Sequence, residues 1–365
     1  MPEYEIVGYR PEFLEPLVVL FSEAFRLAPQ DCRNYLDWKY GRNPYLRESL
    51  LFVARDGRGS ILGMRGFYGT CWQVAGRRMV IPCADDFAIA AGERNKGLMT
   101  LIMRAALEAL ARRGFGYTMN ASGGQLTVLQ SLAMGWKSLG AMEPVVRLSR
   151  LERARCALDR VATGRRFVWR FTRDSYGYPP CSFAELDRYG RRSASRDGNL
   201  VVESSPRPEA MAELAGSMAR DGRISHVRDA EFFRWRFGNP TREYRFLYYE
   251  RDGTLEGFLV IAGYRQSKLP FSIVDFETRS EHSLAELLES ALAWGRFPAI
   301  GAWLASLSHG ARTMLTRHGF EPTDIELRAR GMPCVLLKKL GPADVRDSAI
   351  EGAAWNIRLI DSMRG

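Results

Sequence analysis

The chain states one motif twice. Tyr35-Leu-Asp-Trp38-Lys-Tyr-Gly-Arg-Asn43-Pro44 returns about 197 residues later as Phe232-Phe-Arg-Trp235-Arg-Phe-Gly-Asn239-Pro240. Each copy is followed by an apolar stretch, a turn (Asp56-Gly57, then Asp252-Gly253) and a second apolar stretch. An Asp-Phe pair comes next in both, at Asp86-Phe87 and Asp275-Phe276. Met134-Gly135-Trp136 and His318-Gly319-Phe320 close the two copies. So long a period marks a duplicated domain, since solenoid repeats run about 20–50 residues. Differences between the copies then indicate where the chemistry lies.

A length of 365 residues suits two domains, each with its own core. No stretch approaches the roughly 18 consecutive apolar residues of a membrane span. Glu3 and Glu5 stand where a secretory leader would be basic and apolar, so a cytoplasmic protein is expected. The six cysteines are scattered without a Cys-x-x-Cys pair, which argues against a zinc site or disulfide framework; no metal is expected. The net charge of +10 is partly local, with thirteen arginines against six acids between Arg147 and Asp197. That run reads as a connector of solvated basic helices, or else as a surface for anionic partners.

Hydrophobic periodicity places a strand at Tyr4–Tyr9, a helix at Phe13–Phe25 and a hairpin of Ser49–Ala54 with Ile61–Tyr68. Further strands are expected at Cys71–Val74, Met79–Cys83, Phe87–Ala90 and Phe115–Asn120. A helix over Gly97–Arg112 would show Leu98, Leu101, Ile102, Ala105 and Ala109 to the core. Another helix spans Leu126–Met134, and Trp355–Ile360 reads as a last strand. The class is α+β: two tandem units, each a mixed, mostly antiparallel sheet flanked by helices. Their expected bounds are 1–147 and 201–340, joined by 148–200 with Ser175-Tyr-Gly-Tyr-Pro-Pro180 and followed by an extension, 341–365.

Ala90-Ala-Gly-Glu-Arg94-Asn95-Lys96-Gly97-Leu98-Met99-Thr100 joins a strand to a helix start. Open N–H groups and the helix dipole there bind phosphate, Gly97 lets backbone approach closely, and Arg94 and Lys96 add charge. Gly97 is not expected to matter for helix stability.

Strand, Arg94-x-x-Gly97-x-Met99, long helix, strand, and a helix ending in Gly135-Trp136 together resemble the GNAT (Gcn5-related N-acetyltransferase) superfamily. Met99 departs from the small residue usual in its loop. The likeness covers most of 1–147 and, more faintly, 200–340. It implies that residues 94–100 cradle the pyrophosphate of acetyl-CoA or another acyl-CoA. It also implies that the backbone of Phe87, Ala88 and Ile89 holds the pantetheine arm. Asp85 and Asp86 are the carboxylates nearest the thioester, for general-base duty or for local capping and pairing. Ser131 stands where many members carry a tyrosine that protonates the leaving thiolate, and a serine is a poor acid for that task.

The second copy reads Glu277-Thr-Arg-Ser-Glu281-His282-Ser-Leu-Ala-Glu286, without glycine. Glu281 and Glu286 would satisfy the helix start and repel a pyrophosphate, so this half is expected to bind no coenzyme and to wall an acceptor cleft. His282 and His309 are candidates within it, though surface or core histidines are commoner. The leading function is an acyl-CoA-dependent N-acyltransferase for a small or sugar-like amine. The alternatives are a Fem-type aminoacyltransferase using aminoacyl-tRNA, which the basic join favours and the phosphate loop disfavours, and a non-catalytic acyl-CoA-binding protein.

Overall fold

The computed structural model describes residues 4–121, 125–163, 183–189, 199–218, 222–264, 271–295, 297–322, 334–341, 350 and 354–361. Ser175–Pro180 and most of the expected connector lie outside the described residues.

The first half runs β1 (Glu5–Gly8), α1 (Leu14–Phe25) and α2 (Pro29–Leu36), the last ending in a π-helical turn, Asp37–Gly41. A meander follows: β2 (Leu50–Arg55), β3 (Ile61–Val74) and β4 (Arg77–Ile89). Then come α3 (Leu98–Arg112), β5 (Tyr117–Asn120), α4 (Gln125–Ala133), β6 (Lys137–Ala141) and β7 (Pro144–Leu148). Helices α5 (Arg150–Thr163) and α6 (Phe183–Tyr189) fall in the join. The second half has β8 (Asn199–Glu203), α7 (Pro208–Ser217), β9 (Ile224–His226), α8 (Ala230–Phe237), β10 (Arg242–Arg251), β11 (Thr254–Tyr264) and β12 (Phe271–Thr278). It continues with α9 (Glu281–Gly295), β13 (Ala299–Trp303), α10 (His309–Arg317), β14 (Glu321–Pro322), β15 (Cys334–Lys339) and β16 (Trp355–Asn356).

The two halves exchange strands. The first sheet has the order β1-β2-β3-β4-β5-β15-β6, and the second β14-β7-β13-β12-β11-β10-β8. Strand β15 of the second half therefore lies between β5 and β6 of the first, pairing Leu336 with both Asn120 and Ser138. Strand β7 of the first half reciprocates, pairing Gly301 of β13 through Val146. Cuts at 147 and 340 would thus leave each sheet without a strand, and 147 itself lies inside β7. Each insertion satisfies ladder hydrogen bonds on both sides, which links folding of one half to folding of the other.

Four expectations change. Ile61–Val74 is one strand, where Ile61–Tyr68 and Cys71–Val74 are expected as two with Gly69 between them. The missing Cβ atoms of Gly66 and Gly69 make room for the repeated motif: a Cβ on Gly66 would overlap the Tyr40 phenol, and one on Gly69 would press on Asn43 and Leu46. Met79–Cys83 and Phe87–Ala90 are likewise parts of the single strand β4. The buried stripe of α3 is Leu98, Ile102, Met103, Ala106, Leu107 and Leu110, with Leu101 exposed at 42%. Both stripes obey a helical period; the sheet selects the larger side chains at 103, 107 and 110 over alanines. The strand expected at Trp355–Ile360 shortens to β16, parallel to β9.

The repeated motif lies where the halves meet. Trp38 and Trp235 stack with ring centroids 5.2 Å apart, and both are buried. Around them Phe21, Tyr68, Trp72, Phe232, Phe233 and Phe258 form a single core shared by both halves. Among the described residues no helix is long and apolar enough to cross a membrane.

Candidate functional site

Strand β4 carries one residue too many. Arg65 pairs with Phe87 and Gly66 with Asp85, so Asp86 bulges out, with a left-handed φ of 47°. Side-chain parity gives the same answer. Cys83 and Ala88 face the same core although they are an odd number of positions apart along the strand, and an unbulged strand would put them on opposite faces. The extra residue turns both aspartates toward α2 and its π-helical turn.

That turn supplies their partner. Lys39 is fully buried, with Nζ 2.8 Å from Asp85 Oδ2 and 2.6 Å from Asp86 Oδ2. It also donates to Tyr35 Oη at 2.8 Å, and Tyr40 donates to Asp86 Oδ2 at 2.7 Å. Burial alone would raise the Asp85 carboxyl, but the Lys39 ammonium beside it, with Arg65, holds it below the ordinary carboxylate range. Asp86 goes the other way: burial and the charge of Asp85 raise its carboxyl despite Lys39. Burial would discharge Lys39, yet the two carboxylates keep it cationic. The arrangement is one cation between two unequal carboxyls, of which Asp86 takes a proton more readily. Arg65 is buried nearby, and its Nε and Nη2 have no hydrogen-bond partner among the described residues.

Beyond the bulge β4 leaves β5. Among the described residues the two are paired only at Cys83 and Met119, and no described strand pairs with Phe87, Ala88 and Ile89 on the side away from β3. The chain then passes a 3-10 turn, Ala91–Glu93, and enters α3 at Gly97 with φ 79°. No side chain caps this helix and no acid lies in its first turn; the Thr100 N–H turns back to the Gly97 carbonyl, and the N–H groups of Leu98 and Met99 ahead of it meet no acceptor among the described residues. Glu93, in the turn that leads into the helix, is engaged by Tyr4 and Lys96. The left-handed φ corrects the expectation for Gly97: any Cβ there carries a backbone cost, even though the space around it is empty. Arg94 reaches back to the Ile89 carbonyl at 3.5 Å, and Asn95 is also left-handed. Ser131 is buried in α4 at 2% exposure.

The second half repeats the bulge but not the helix entry. Between Val260 and Ile261 the β11–β12 register shifts, and Asp275 is buried against Arg228 and Arg358. Strand β12 reaches α9 through Arg279 and Ser280 alone, and the Ser280 hydroxyl accepts from Ser283 N. The Glu281 carboxylate packs against Gly310 at the start of α10 rather than over its own helix. Between these elements is a cavity of about 570 Å³. His282 and His309 are exposed; the buried histidine in this cavity is His226, at 7% exposure.

Lys39 and His226 escape a reading by pattern. Lys39 sits in an aromatic segment that reads as packing; its signal is that Arg236 puts a cation at the matching place in the second copy. His226 has no such signal, because it reaches the cavity through the pairing of β9 with β3.

No family model matches the sequence, and none of the curated proteins is significantly similar to it. Solved structures share its fold. A probable N-acyltransferase of unknown function from Enterococcus faecalis has TM-score 0.59 at 11% identity, over 93% of this chain and 73% of its own. A tandem GNAT protein from the clavulanic acid biosynthesis pathway gives 0.55 at 16%, over 94% and 100%. Saccharomyces cerevisiae N-myristoyltransferase with bound myristoyl-CoA gives 0.58 at 10%, over 98% and 90%. The two mixed sheets with their flanking helices have the tandem GNAT fold.

Proposed function

We propose that this protein is an acyl-CoA-dependent N-acyltransferase, with acetyl-CoA or another acyl-CoA in the first-half cleft and a small or sugar-like amine as acceptor. The observation that carries this reading is a sequence of three features on one strand. β4 bulges at Asp86, separates from β5, and runs into an uncapped helix start at Gly97. The edge of Phe87–Ile89 that pairs with no described strand suits an amide-bearing arm, and the start of α3, with Arg94 and Lys96, suits a pyrophosphate.

The acceptor nitrogen attacks the thioester carbonyl carbon, the C–S bond breaks, and the thiolate leaves. The nitrogen must first be neutral, and later sheds a second proton. Asp86 is the acceptor of choice for these protons, since its carboxyl sits above the ordinary range and Lys39 holds it in place. Ser131 supplies no useful acidity at neutral pH. A non-catalytic acyl-CoA-binding role is the second reading, favoured by that serine in place of a tyrosine.

Thiol release from acetyl-CoA, measured over a panel of amines, tests the activity. Amine-dependent release is expected. Acetyl-CoA binding without release for any amine would leave the second reading, and no binding would overturn both.

A further inference from the structure

Three residues that line the cavity of the second half each carry a buried side-chain polar atom with no hydrogen-bond partner among the described residues. His226 and Asp361 have side chains only 3% and 2% exposed, and both line it. Asp361 Oδ2 accepts from the Arg358 backbone N–H at 2.7 Å, while its Oδ1 has no partner. His226 Nδ1 is also unpartnered and lies 4.0 Å from that oxygen, too far for a hydrogen bond. Asn356 Oδ1, the third, lines the same cavity without a partner. Buried polar atoms go unpaired at a cost of about 1–3 kcal/mol each, so a cluster of three calls for a ligand that supplies donors.

The cations around the cavity are unequal. Arg228 and Arg358 both bridge Asp275 and Glu277, and Arg78 pairs with Asp229. Arg279 meets only the Leu255 carbonyl and the Ser217 hydroxyl, with no carboxylate partner among the described residues. The cavity thus offers a donor-hungry carboxyl at its floor and an uncompensated guanidinium near the start of α9. We propose that it binds a small zwitterion of the amino-acid or dipeptide class, its ammonium held by Asp361, His226 and Asn356 and its carboxylate by Arg279. A volume of about 570 Å³ accommodates either.

This site is separate from the first-half cleft. His226 pairs with Trp72 on β3, whereas the bulge lies opposite Arg65. Seven residues of extended strand separate these points, about 23 Å at roughly 3.3 Å per residue. Coenzyme has no cradle here, because Ser280 already caps α9 and no glycine loop precedes it.

Calorimetry with the common L-amino acids and a set of simple dipeptides tests the proposal. At least one zwitterion is expected to bind with one site per chain, and its N-acetylated and amidated forms about tenfold or more weaker. Asp361→Asn should abolish binding. Arg279→Gln changes an exposed side chain and should weaken it about tenfold. Both variants should keep the acetyl-CoA affinity of the parent. If Asp361→Asn fails to fold, Arg279→Gln and the blocked ligands still decide. No binding by any of these probes, binding indifferent to both the blocking groups and Arg279→Gln, or acetyl-CoA competing for the site would overturn the assignment.

Discussion

Trp38 and Trp235 each donate an indole N–H to the other's backbone carbonyl, at 2.6 Å and 2.9 Å. The reciprocity follows from the duplication: matching residues of two copies meet across a pseudo-two-fold relation, as in an isologous interface. With the exchanged strands β7 and β15, this pair makes the two halves one cooperative body. It also fixes the geometry of the site, since Lys39 follows Trp38 in the same π-helical turn.

Replacing Trp38 by Ala should cost about 3–5 kcal/mol and leave the Trp235 indole without its stacking partner. Trp235→Ala should cost a similar amount, and the double variant much less than the sum, with a coupling of about 0.5–3 kcal/mol. Urea unfolding checks this. Strictly additive losses would mean that the two indoles act independently.

Gly97→Glu should reduce acetyl-CoA affinity by about a hundredfold or more, because a carboxylate then sits among open N–H groups that meet an anion. Its φ of 79° adds a stability loss of roughly 1 kcal/mol for a residue with a Cβ. Gly97→Asn tolerates that conformation better and separates the two effects: a nearly unchanged Tm with a smaller loss of affinity. Calorimetry and thermal melts provide both readings, with one acetyl-CoA per chain expected for the parent. Full affinity in the Glu variant would remove the coenzyme site from this loop.

The duplication, both Trp motifs, the α+β class and the phosphate-type loop were legible because each is local in the chain. The strand exchange was not, since β7 and β15 have the same pattern whichever sheet they join. The merging of β3 is hidden at Gly69, whose purpose becomes visible only when Asn43 and Leu46 lie against it. The position of Asp85 and Asp86 on their strand is legible, but the cation between them is not: a lysine in an aromatic segment that reads as packing shows no partner until the fold brings β4 against it. His226 is illegible for the same non-local reason, and the sequence offers the exposed His282 and His309 in its place.

His226 and Asp361 should oppose one another in acid. Burial, with Arg228, lowers the imidazole to about 3, so below its unfolded value of about 6.5 the unfolded chain binds a proton the native chain refuses. Stability from this group is present above about pH 6.5 and declines as pH falls. Burial raises the Asp361 carboxyl to about 7, so between about pH 4 and 7 the native chain holds the extra proton, and stability declines as pH rises. Relative to the parent, His226→Gln should therefore lose stability with rising pH over 4–6.5, and Asp361→Asn should gain it. Urea unfolding of the ligand-free protein at several pH values measures both slopes; equal slopes in all three proteins would show that neither group titrates abnormally.

Asp86→Asn probes the chemistry itself. Asparagine accepts the left-handed φ of 47° and can still receive hydrogen bonds from Lys39 and Tyr40, so the bulge and the cleft should persist. What it cannot do is take a proton. If Asp86 serves the incoming amine, the maximal rate of thiol release should fall about a hundredfold, within the roughly 10²–10⁴ that general bases contribute. Acetyl-CoA affinity should not change, because the pyrophosphate and the arm are held elsewhere. The parent's rate should fall as pH drops through the Asp86 value, which burial and Asp85 place above the ordinary carboxylate range. That acidic limb should be absent from the variant. Asp85→Asn removes the repulsion that raises Asp86, so it should keep most activity and shift the limb to lower pH. If both variants retain full activity from pH 4 to 9, the proton leaves by another route, and the cluster around Lys39 is a structural ion pair.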